Sequence, residues 1–243
     1  MTEQDPANKP SLNIHPSVAL SKKVFVAHSL GRGNKVVIEG GCNIIRLKVT
    51  FAGSNNTLII RKHCKINCVV VFKGDGGSIE VGKMVGLVDA VLHVEYGTSI
   101  EIGEGGIFSR GLIVRTGDSH SVIDISSGKR LNYPASIVIE PWVWAGYDVS
   151  IMKGVRVRKN TIIGAGTLVN RTIPESECMI AGVPAKVVRR GVVWDRRSLS
   201  EDPSPRFLDS LLQARGVDVA TITDQSGSKM RGRIYSKVRS LFR

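Results

Sequence analysis

The sequence predicts an all-β chain that folds as a parallel β-helix, and a six-residue repeat is the main observation behind this prediction. Between residues 137 and 170, apolar residues recur at a spacing of six: Ile139, Ala145, Ile151, Val157, Ile163 and Val169. A second ladder of small or β-branched residues lies four positions after the first: Val143, Val149, Val155, Thr161 and Thr167. This period fits neither an α-helix nor a single strand. It matches the flat sides of a triangular coil with about eighteen residues per turn.

The composition agrees with stacked columns of small aliphatic side chains. Of the 243 residues, 42% are hydrophobic, which is enough to build a core, but only 5% are aromatic. The 26 glycines suit a fold in which tight corners recur. The composition therefore favours a repeat fold over a core of bulky central clusters.

The repeat extends upstream, with short insertions at the corners. Similar apolar segments begin at Lys35, Thr57, Ser78 and Ser99, at intervals of 22, 21 and 21 residues. We predict that the β-helix spans residues 34–170 and that residues 1–33 form an N-terminal arm.

The cysteines are predicted to be structural. Cys42 and Cys64 each follow an inward aliphatic residue by four positions, so both are expected to pack in the core. His63, Cys64 and Cys68 lack the paired spacing of a zinc site, and we predict no metal. The sequence shows no signal peptide and no apolar run long enough to cross a membrane, so we expect reduced thiols and a cytoplasmic location.

One polar segment interrupts the repeat. Asp118–Tyr133 breaks the six-residue pattern between Val114 and Ile137. We predict that it protrudes from the coils as a loop. Loops held by a rigid scaffold are where binding and catalysis concentrate.

The C-terminal third of the chain is basic. From Lys153 onward there are 18 basic and 8 acidic residues, which gives +10 of the total charge of +13. Residues 171–197 are predicted to follow the coils as a binding segment, and residues 198–243 to form a basic tail with a short helix at 203–213. Gly232–Arg243 carries apolar residues at helical spacing, which suits a peripheral contact with the inner face of a membrane. The charge favours an acidic partner, and we expect no nucleic acid.

Four motifs, in this order along the chain, mark a resemblance to a known family. They are Gly117–Asp124 (GDSHSVID), Val143–Gly146 (VWAG), Ile163–Val169 (IGAGTLV) and Ala181–Lys186 (AGVPAK). Over about residues 95–197 the chain resembles the hexapeptide-repeat acyltransferases, which are left-handed β-helix acetyltransferases that use acetyl-CoA. The loop motif and Val192–Arg196 are similar to the branch that O-acetylates capsule and other surface polysaccharides. Ser119 stands where many members of the family carry a second histidine.

The resemblance implies a reaction and its catalytic base. His120 lies 24 residues before Trp144 and matches the family's catalytic histidine. We expect it to take the proton from a sugar hydroxyl that attacks the acetyl-CoA carbonyl, since imidazole titrates near neutral pH. No cysteine or nearby serine shows a nucleophile motif beside a base, which favours direct transfer over an acyl-enzyme. Asp118 is expected to orient the imidazole.

Five neighbouring positions are expected to hold the acceptor and the reacting thioester. Trp144 and Trp142 offer flat apolar faces that suit the acceptor or the thioester. A backbone N–H near Ala145, Gly146 or Tyr147 is expected to stabilise the negative oxygen of the tetrahedral intermediate.

The CoA part of the donor is expected to bind further along the coils. Gly164 and Ala165 lack bulky side chains, so the pantetheine arm could lie along that edge. Four cationic side chains are candidates for the phosphates: Lys159, Lys186, Arg189 and Arg190.

The resemblance also implies a homotrimer, in which His120 meets Trp144 and the CoA residues across a subunit boundary. The expected acceptor is an acidic capsular polysaccharide, and an N-acetyltransferase of an amino sugar is the nearest alternative. A zinc-dependent β-helix enzyme needs three converging histidines, whereas the five here are scattered. A basic module that binds nucleic acid or membrane without catalysis is the remaining alternative.

Overall fold

The structure is a computed structural model that describes residues 8–20 and 24–219. Its elements, in chain order, are β1 (Ser11–Ile14), β2 (Ala19–Leu20), β3 (Val24–Ser29), β4 (Lys35–Ile38), β5 (Asn43–Phe51), β6 (Thr57–Ile60), β7 (Lys65–Lys73), β8 (Ser78–Val81), β9 (Gly86–Glu95), β10 (Ser99–Ile102), β11 (Ile107–Phe108), β12 (Ile113–Arg115), β13 (Ile137–Ile139), β14 (Trp144–Ala145), β15 (Ser150–Met152), β16 (Arg156–Val157), β17 (Ile162–Ile163), β18 (Leu168–Val169), β19 (Cys178–Ala181), β20 (Lys186–Arg190) and the helix α1 (Pro205–Ala214).

The strands form the sides of a prism. The first side is a seven-stranded parallel sheet in the order β1-β4-β6-β8-β10-β13-β16. The second and third sides belong to one continuous sheet, because β5, β7 and β9 turn the corner between them. In β9, for example, Gly86–Leu87 lies on the second side, where it pairs with β11. Val91–His93 lies on the third side, where it pairs with β12. The predicted parallel β-helix is confirmed.

The two apolar ladders form the core of these coils. Every member of the first ladder is at most 3% exposed, and every member of the second is at most 2% exposed. Cys42 and Cys64 are buried at the predicted inward positions. Each ladder residue packs on its counterparts one coil away, so neighbouring coils stabilise one another.

The coil stack is longer than the predicted range of 34–170. β1 pairs in parallel with β4, while β2 and β3 pair in parallel with β5, so the β-helix already begins at Ser11. At the other end β19 adds to β17 in parallel, and β20 then folds back antiparallel to β19. The strands described within the predicted arm, β1 to β3, therefore belong to the coil stack, and β19 and β20 of segment 171–197 extend it at the other end.

Two buried asparagines support the corner between the third and first sides. Asn34 Oδ1 accepts hydrogen bonds from the backbone N–H of Asn56 (2.9 Å) and from its side-chain amide (3.1 Å). Asn56 in turn accepts a bond from Gly77 N (2.8 Å) and donates one to Gly74 O (3.0 Å). This asparagine ladder satisfies backbone groups that the chain turns inward at successive corners.

A single helix follows the coils in the described residues. Ser204 caps its N-terminus by accepting a hydrogen bond from Phe207 N, and Pro205 occupies the first turn, where a missing N–H costs nothing. The short helix predicted at 203–213 is thus confirmed within two residues, whereas Gly232–Arg243 lies outside the described residues. Across residues 8–20 and 24–219, no helix has the length and hydrophobicity to span a membrane.

Candidate active site

The loop of residues 118–133 leaves the prism at the end of the third side, after β12. Its two arms are joined by antiparallel backbone pairing of Ile123 with Arg130 and by a hydrogen bond from Leu131 N to Val122 O (2.8 Å). Asn132 ties its two ends together, because its Nδ2 donates to both Asp118 Oδ2 and His120 O at 2.8 Å. The side chain of His120 is exposed, so a substrate can reach it.

Asp118 forms other contacts than the predicted one. Its carboxylate accepts hydrogen bonds from Lys153 Nζ and from Asn132 Nδ2. The ammonium of Lys153 holds the pKa of Asp118 below its ordinary value, and Asn132 acts in the same direction. In the part of the chain that the structure describes, no hydrogen bond joins Asp118 to the His120 imidazole. Asp118 therefore anchors the loop to the turn after β15, through Lys153.

The residue before His120 rests on a charged cluster at the end of the third side. Ser119 donates its backbone N–H (2.9 Å) and its hydroxyl (3.1 Å) to Glu95 Oε1. Arg115 Nη2 donates to Ser119 Oγ (3.0 Å), and Lys73 Nζ donates to Ser119 O (3.1 Å). No sequence signal distinguishes Glu95, because a glutamate in the repeat resembles any solvated surface residue.

Trp144 lies on the second side of the prism, between Ile107 and Ile162 of the neighbouring coils. Its side chain is 40% exposed, and its ring lies 6.1 Å from that of Trp194. The loop with His120 leaves the prism after β12, on the third side, so the two residues are attached to different sides of the same chain.

Trp142, which is predicted to contact the acceptor, also packs against the C-terminal part of the chain. Arg215 follows α1, and its guanidinium lies 3.8 Å from the centre of the Trp142 ring and 4.9 Å from that of the Trp194 ring. Trp194 Nε1 also donates to Trp142 O (2.7 Å). Trp142 thus joins the C-terminal helix to the coils.

The three predicted oxyanion positions differ in what their N–H groups do. Ala145 is a buried strand residue, and Gly146 N donates to Ile163 O of the next coil (2.8 Å). Gly146 must lack a Cβ, since one would lie 2.9 Å from Ala165 N. Within the described residues the N–H of Tyr147 has no hydrogen-bond acceptor, so it is the available donor of the three.

Some of the residues predicted to bind CoA already have hydrogen-bond partners within the chain. Gly164 N donates to Ile180 O, while Ala165 is exposed at the corner and its N–H has no acceptor among the residues described. Lys159 Nζ donates to Gly216 O (2.8 Å), and Arg190 forms two bonds with the Glu175 carboxylate (2.6 and 3.0 Å).

The other two cations predicted to bind phosphate face solvent. Lys186 and Arg189 are exposed and form no ion pair within residues 8–20 and 24–219. Lys186 and Arg190 also line a surface pocket with Arg171 and Thr172. The predicted set therefore divides into structural cations and cations that face solvent.

The buried thiols are poor nucleophiles. Burial raises the pKa of Cys64 and of Cys68 to about 12, and that of Cys178 to about 11. Burial also raises the pKa of Cys42. All four thiols are thus held in the protonated form at neutral pH. Among the described residues, no group of three or more His, Cys, Asp or Glu side chains could hold a metal ion.

No family model matches the chain, but individual proteins do. The crystal structure of the polySia-specific acetyltransferase NeuO superposes with a TM-score of 0.73 at 31% identity, covering 86% of this chain and 89% of that one. A polysialic acid O-acetyltransferase of Escherichia coli O1:K1 / APEC is 36% identical over 142 residues, 58% of this chain and 46% of that protein. A polysialic acid O-acetyltransferase of Neisseria meningitidis is 27% identical over 179 residues, 72% of this chain and 83% of that protein.

These similarities agree with the fold. The solved relative extends over most of both chains, and its family has the left-handed β-helix. The Escherichia coli relative is longer, and the chain spans about half its length.

Proposed function

Because the chain belongs to the hexapeptide-repeat acetyltransferases, we propose that it moves an acetyl group from acetyl-CoA to a hydroxyl of an acidic surface polysaccharide. The observation that carries this proposal is the similarity over nearly nine-tenths of the length of a polySia-specific acetyltransferase. That name points to a polymer of sialic acid as the acceptor. The basic C-terminal third would attract such a polyanion.

The proposed reaction is a direct transfer. His120 takes the proton of the acceptor hydroxyl while its oxygen attacks the thioester carbonyl of acetyl-CoA. The N–H of Tyr147 stabilises the negative oxygen of the tetrahedral intermediate. The intermediate collapses when the C–S bond breaks, and His120 returns the proton to the CoA sulfur. Protonated, buried cysteines support this route over an acyl-enzyme.

Acetyl-CoA is proposed to lie along the corner after the second side. Trp144 would face the thioester or the sugar, and the open edge at Gly164 and Ala165 would take the pantetheine arm. Lys186 and Arg189 would meet the phosphates, since both face solvent without an acidic partner in the described chain. Lys159 and Arg190 are left out of this set because Gly216 and Glu175 engage them.

We also propose that three copies assemble around the active sites. In one chain, the loop with His120 leaves the third side of the prism whereas Trp144 lies on the second, and we infer that a neighbouring copy brings the two residues together. The loop supports this, because it exposes five apolar side chains: Val122, Ile123, Ile125, Leu131 and Tyr133. An exposed apolar group of this size suits burial against another subunit.

The assembly can be tested at the tip of the loop. Ile125 is completely exposed in the single chain, so a charge there costs nothing unless a neighbour covers it. We expect Ile125→Asp to convert a species of three times the 26.3 kDa chain mass into monomers, measured by light scattering. Lys129→Asp, at an exposed polar position of the same loop, is the control. Equal masses for both variants and the wild type would contradict the role of the loop in assembly.

The proposed location is the cytoplasm, near the inner face of the membrane where surface polysaccharides are made. The basic segment Gly232–Arg243 would contact anionic lipid there, although it lies outside the described residues.

A transfer assay tests the function. Purified protein is incubated with acetyl-labelled acetyl-CoA and a panel of glycans that includes polysialic acid, a neutral polysaccharide and an amino-sugar polymer. We expect label on polysialic acid that mild alkali releases, since esters hydrolyse under conditions that amides survive. Alkali-stable label on the amino sugar would point to N-acetylation. Release of CoA without label on any glycan would overturn the proposal.

A further inference from the structure

We propose that Glu95 is a positioning residue that fixes the main chain in front of His120. The inference rests on the proposed role of His120, but its structural basis is independent of that role. Glu95 ends β9, and its side chain is only 2% exposed although it carries a carboxylate. A buried carboxylate is costly unless other groups satisfy it, so its partners indicate what it does.

Both bonds accepted by Glu95 Oε1 come from one residue, Ser119. The backbone N–H lies at 2.9 Å and the hydroxyl at 3.1 Å. Ser119 has a φ of +67°, a backbone conformation that residues other than glycine seldom adopt without support. The two bonds to Glu95 supply that support.

Gly117 lets the loop approach this closely. A Cβ on Gly117 would lie 2.3 Å from Glu95 Oε2, so only glycine allows the chain to pass over the carboxylate. The carboxylate therefore contacts the loop at Gly117 and at Ser119. The backbone between and just after these contacts has little freedom to shift.

The strand register places two cations around the same contact. Lys73 is the neighbour of Glu95 on the preceding coil, and Arg115 is the neighbour of His93 on the next. Lys73 holds the carbonyl of Ser119 and Arg115 holds its hydroxyl, so every polar group of Ser119 is bound. His93 Nε2 lies 3.9 Å from Glu95 Oε1, and burial keeps the pKa of His93 below its ordinary value, with Arg115 adding to the effect.

The backbone of Glu95 is itself fixed to the coils. Its N–H donates to Thr116 Oγ1 (2.9 Å), and its carbonyl accepts a bond from Thr98 Oγ1. The cluster thus connects rigid strands to the peptide unit that carries His120. A displacement of about 1 Å at a catalytic group can cost about 10²-fold in rate, which is the scale of effect that such a contact controls.

Glu95→Ala removes the acceptor for both Ser119 bonds. We expect kcat for acetyl transfer to fall by about 10²-fold, with KM for acetyl-CoA unchanged, because Glu95 touches no part of the proposed CoA site. The amide hydrogen of Ser119 should exchange faster in this variant, measured by hydrogen exchange on the full-length protein. Glu95→Gln keeps a carbonyl oxygen for both bonds and should recover much of kcat and of the amide protection.

The matched control is Glu101→Gln. Glu101 follows Glu95 by six residues, is exposed on the first side, and forms no ion pair within the described residues. Glu101→Gln should leave both kcat and the amide hydrogen exchange of Ser119 at wild-type values. If Glu95→Ala behaves like Glu101→Gln, the positioning role is wrong. It is also wrong if kcat falls equally in Glu95→Ala and Glu95→Gln while Ser119 exchange stays slow, since that pattern reports a charge effect.

Two further variants keep the test decisive. If Glu95→Ala fails to fold, Ser119→Ala can be used instead, because it removes only the hydrogen bonds of the hydroxyl. We expect it to lower kcat less than tenfold and to speed amide hydrogen exchange at residue 119. Wild-type values of both kcat and this exchange rate would overturn the proposal. His120→Ala separates the two ideas. If it keeps full activity, the proposed general base is wrong, yet the exchange rate at Ser119 in the Glu95 variants still shows whether Glu95 holds the loop.

Discussion

Replacement of His120 by alanine is expected to lower kcat for acetyl transfer by about 10²- to 10⁴-fold, the contribution of a positioned general base. Without the imidazole, no group takes the proton of the attacking hydroxyl, which is too weak an acid to ionise near neutral pH. The fold should be unaffected, because the side chain is exposed on the loop and forms no hydrogen bond with the residues described. Initial rates with saturating acetyl-CoA and polysialic acid measure the effect.

The control for this variant is His28→Ala. His28 is also an exposed histidine, but it lies in β3, far along the stack from the loop. It should retain the wild-type rate, and both variants should unfold within about 0.5 kcal/mol of the wild type, as expected for surface substitutions. A rate for His120→Ala within twofold of the control would exclude His120 as the base.

The fold could be predicted because its core obeys one period. Each inward residue of the ladder from Ile139 to Val169 meets its counterpart on the next coil, so the spacing survives in the sequence. The loop with His120 could be predicted for the complementary reason, since a protrusion interrupts that spacing. The terminal coil could not be predicted in this way. Ser11, Leu12 and Asn13 are exposed in β1, because a coil at the end of a stack has a neighbour on one side only.

The supports of the candidate site could not be predicted from the sequence. Glu95 and Ser119 are 24 residues apart, and Arg215 meets Trp142 from a helix beyond the coils. An apolar period locates inward side chains, but it does not determine which polar groups face each other after corner insertions of unequal length. Pairings of this kind depend on the exact register of the coils and on how the C-terminal segment packs.

The asparagine ladder is a second feature of this kind, and it leads to the largest expected effect on stability. Asn56→Ala removes the acceptor for Gly77 N, which is buried, and the donor for Gly74 O, which is half-buried. Each unsatisfied buried group costs about 1–3 kcal/mol, so we expect the free energy of unfolding to fall by about 2–4 kcal/mol. Urea titration followed by circular dichroism measures the change.

Asn56→Asp separates hydrogen bonding from packing in the same ladder. Aspartate fills the same space and can still accept from Gly77 N, but it cannot donate to Gly74 O and it faces Asn34 Oδ1. It should destabilise the protein at least as much as alanine, because a buried charge adds to the lost donor. Asn43→Ala, at an exposed position of β5, should change stability by about 0.5 kcal/mol or less. If both Asn56 variants matched Asn43→Ala, the corner would be held by the apolar columns alone, and the buried amides would contribute nothing to the stack.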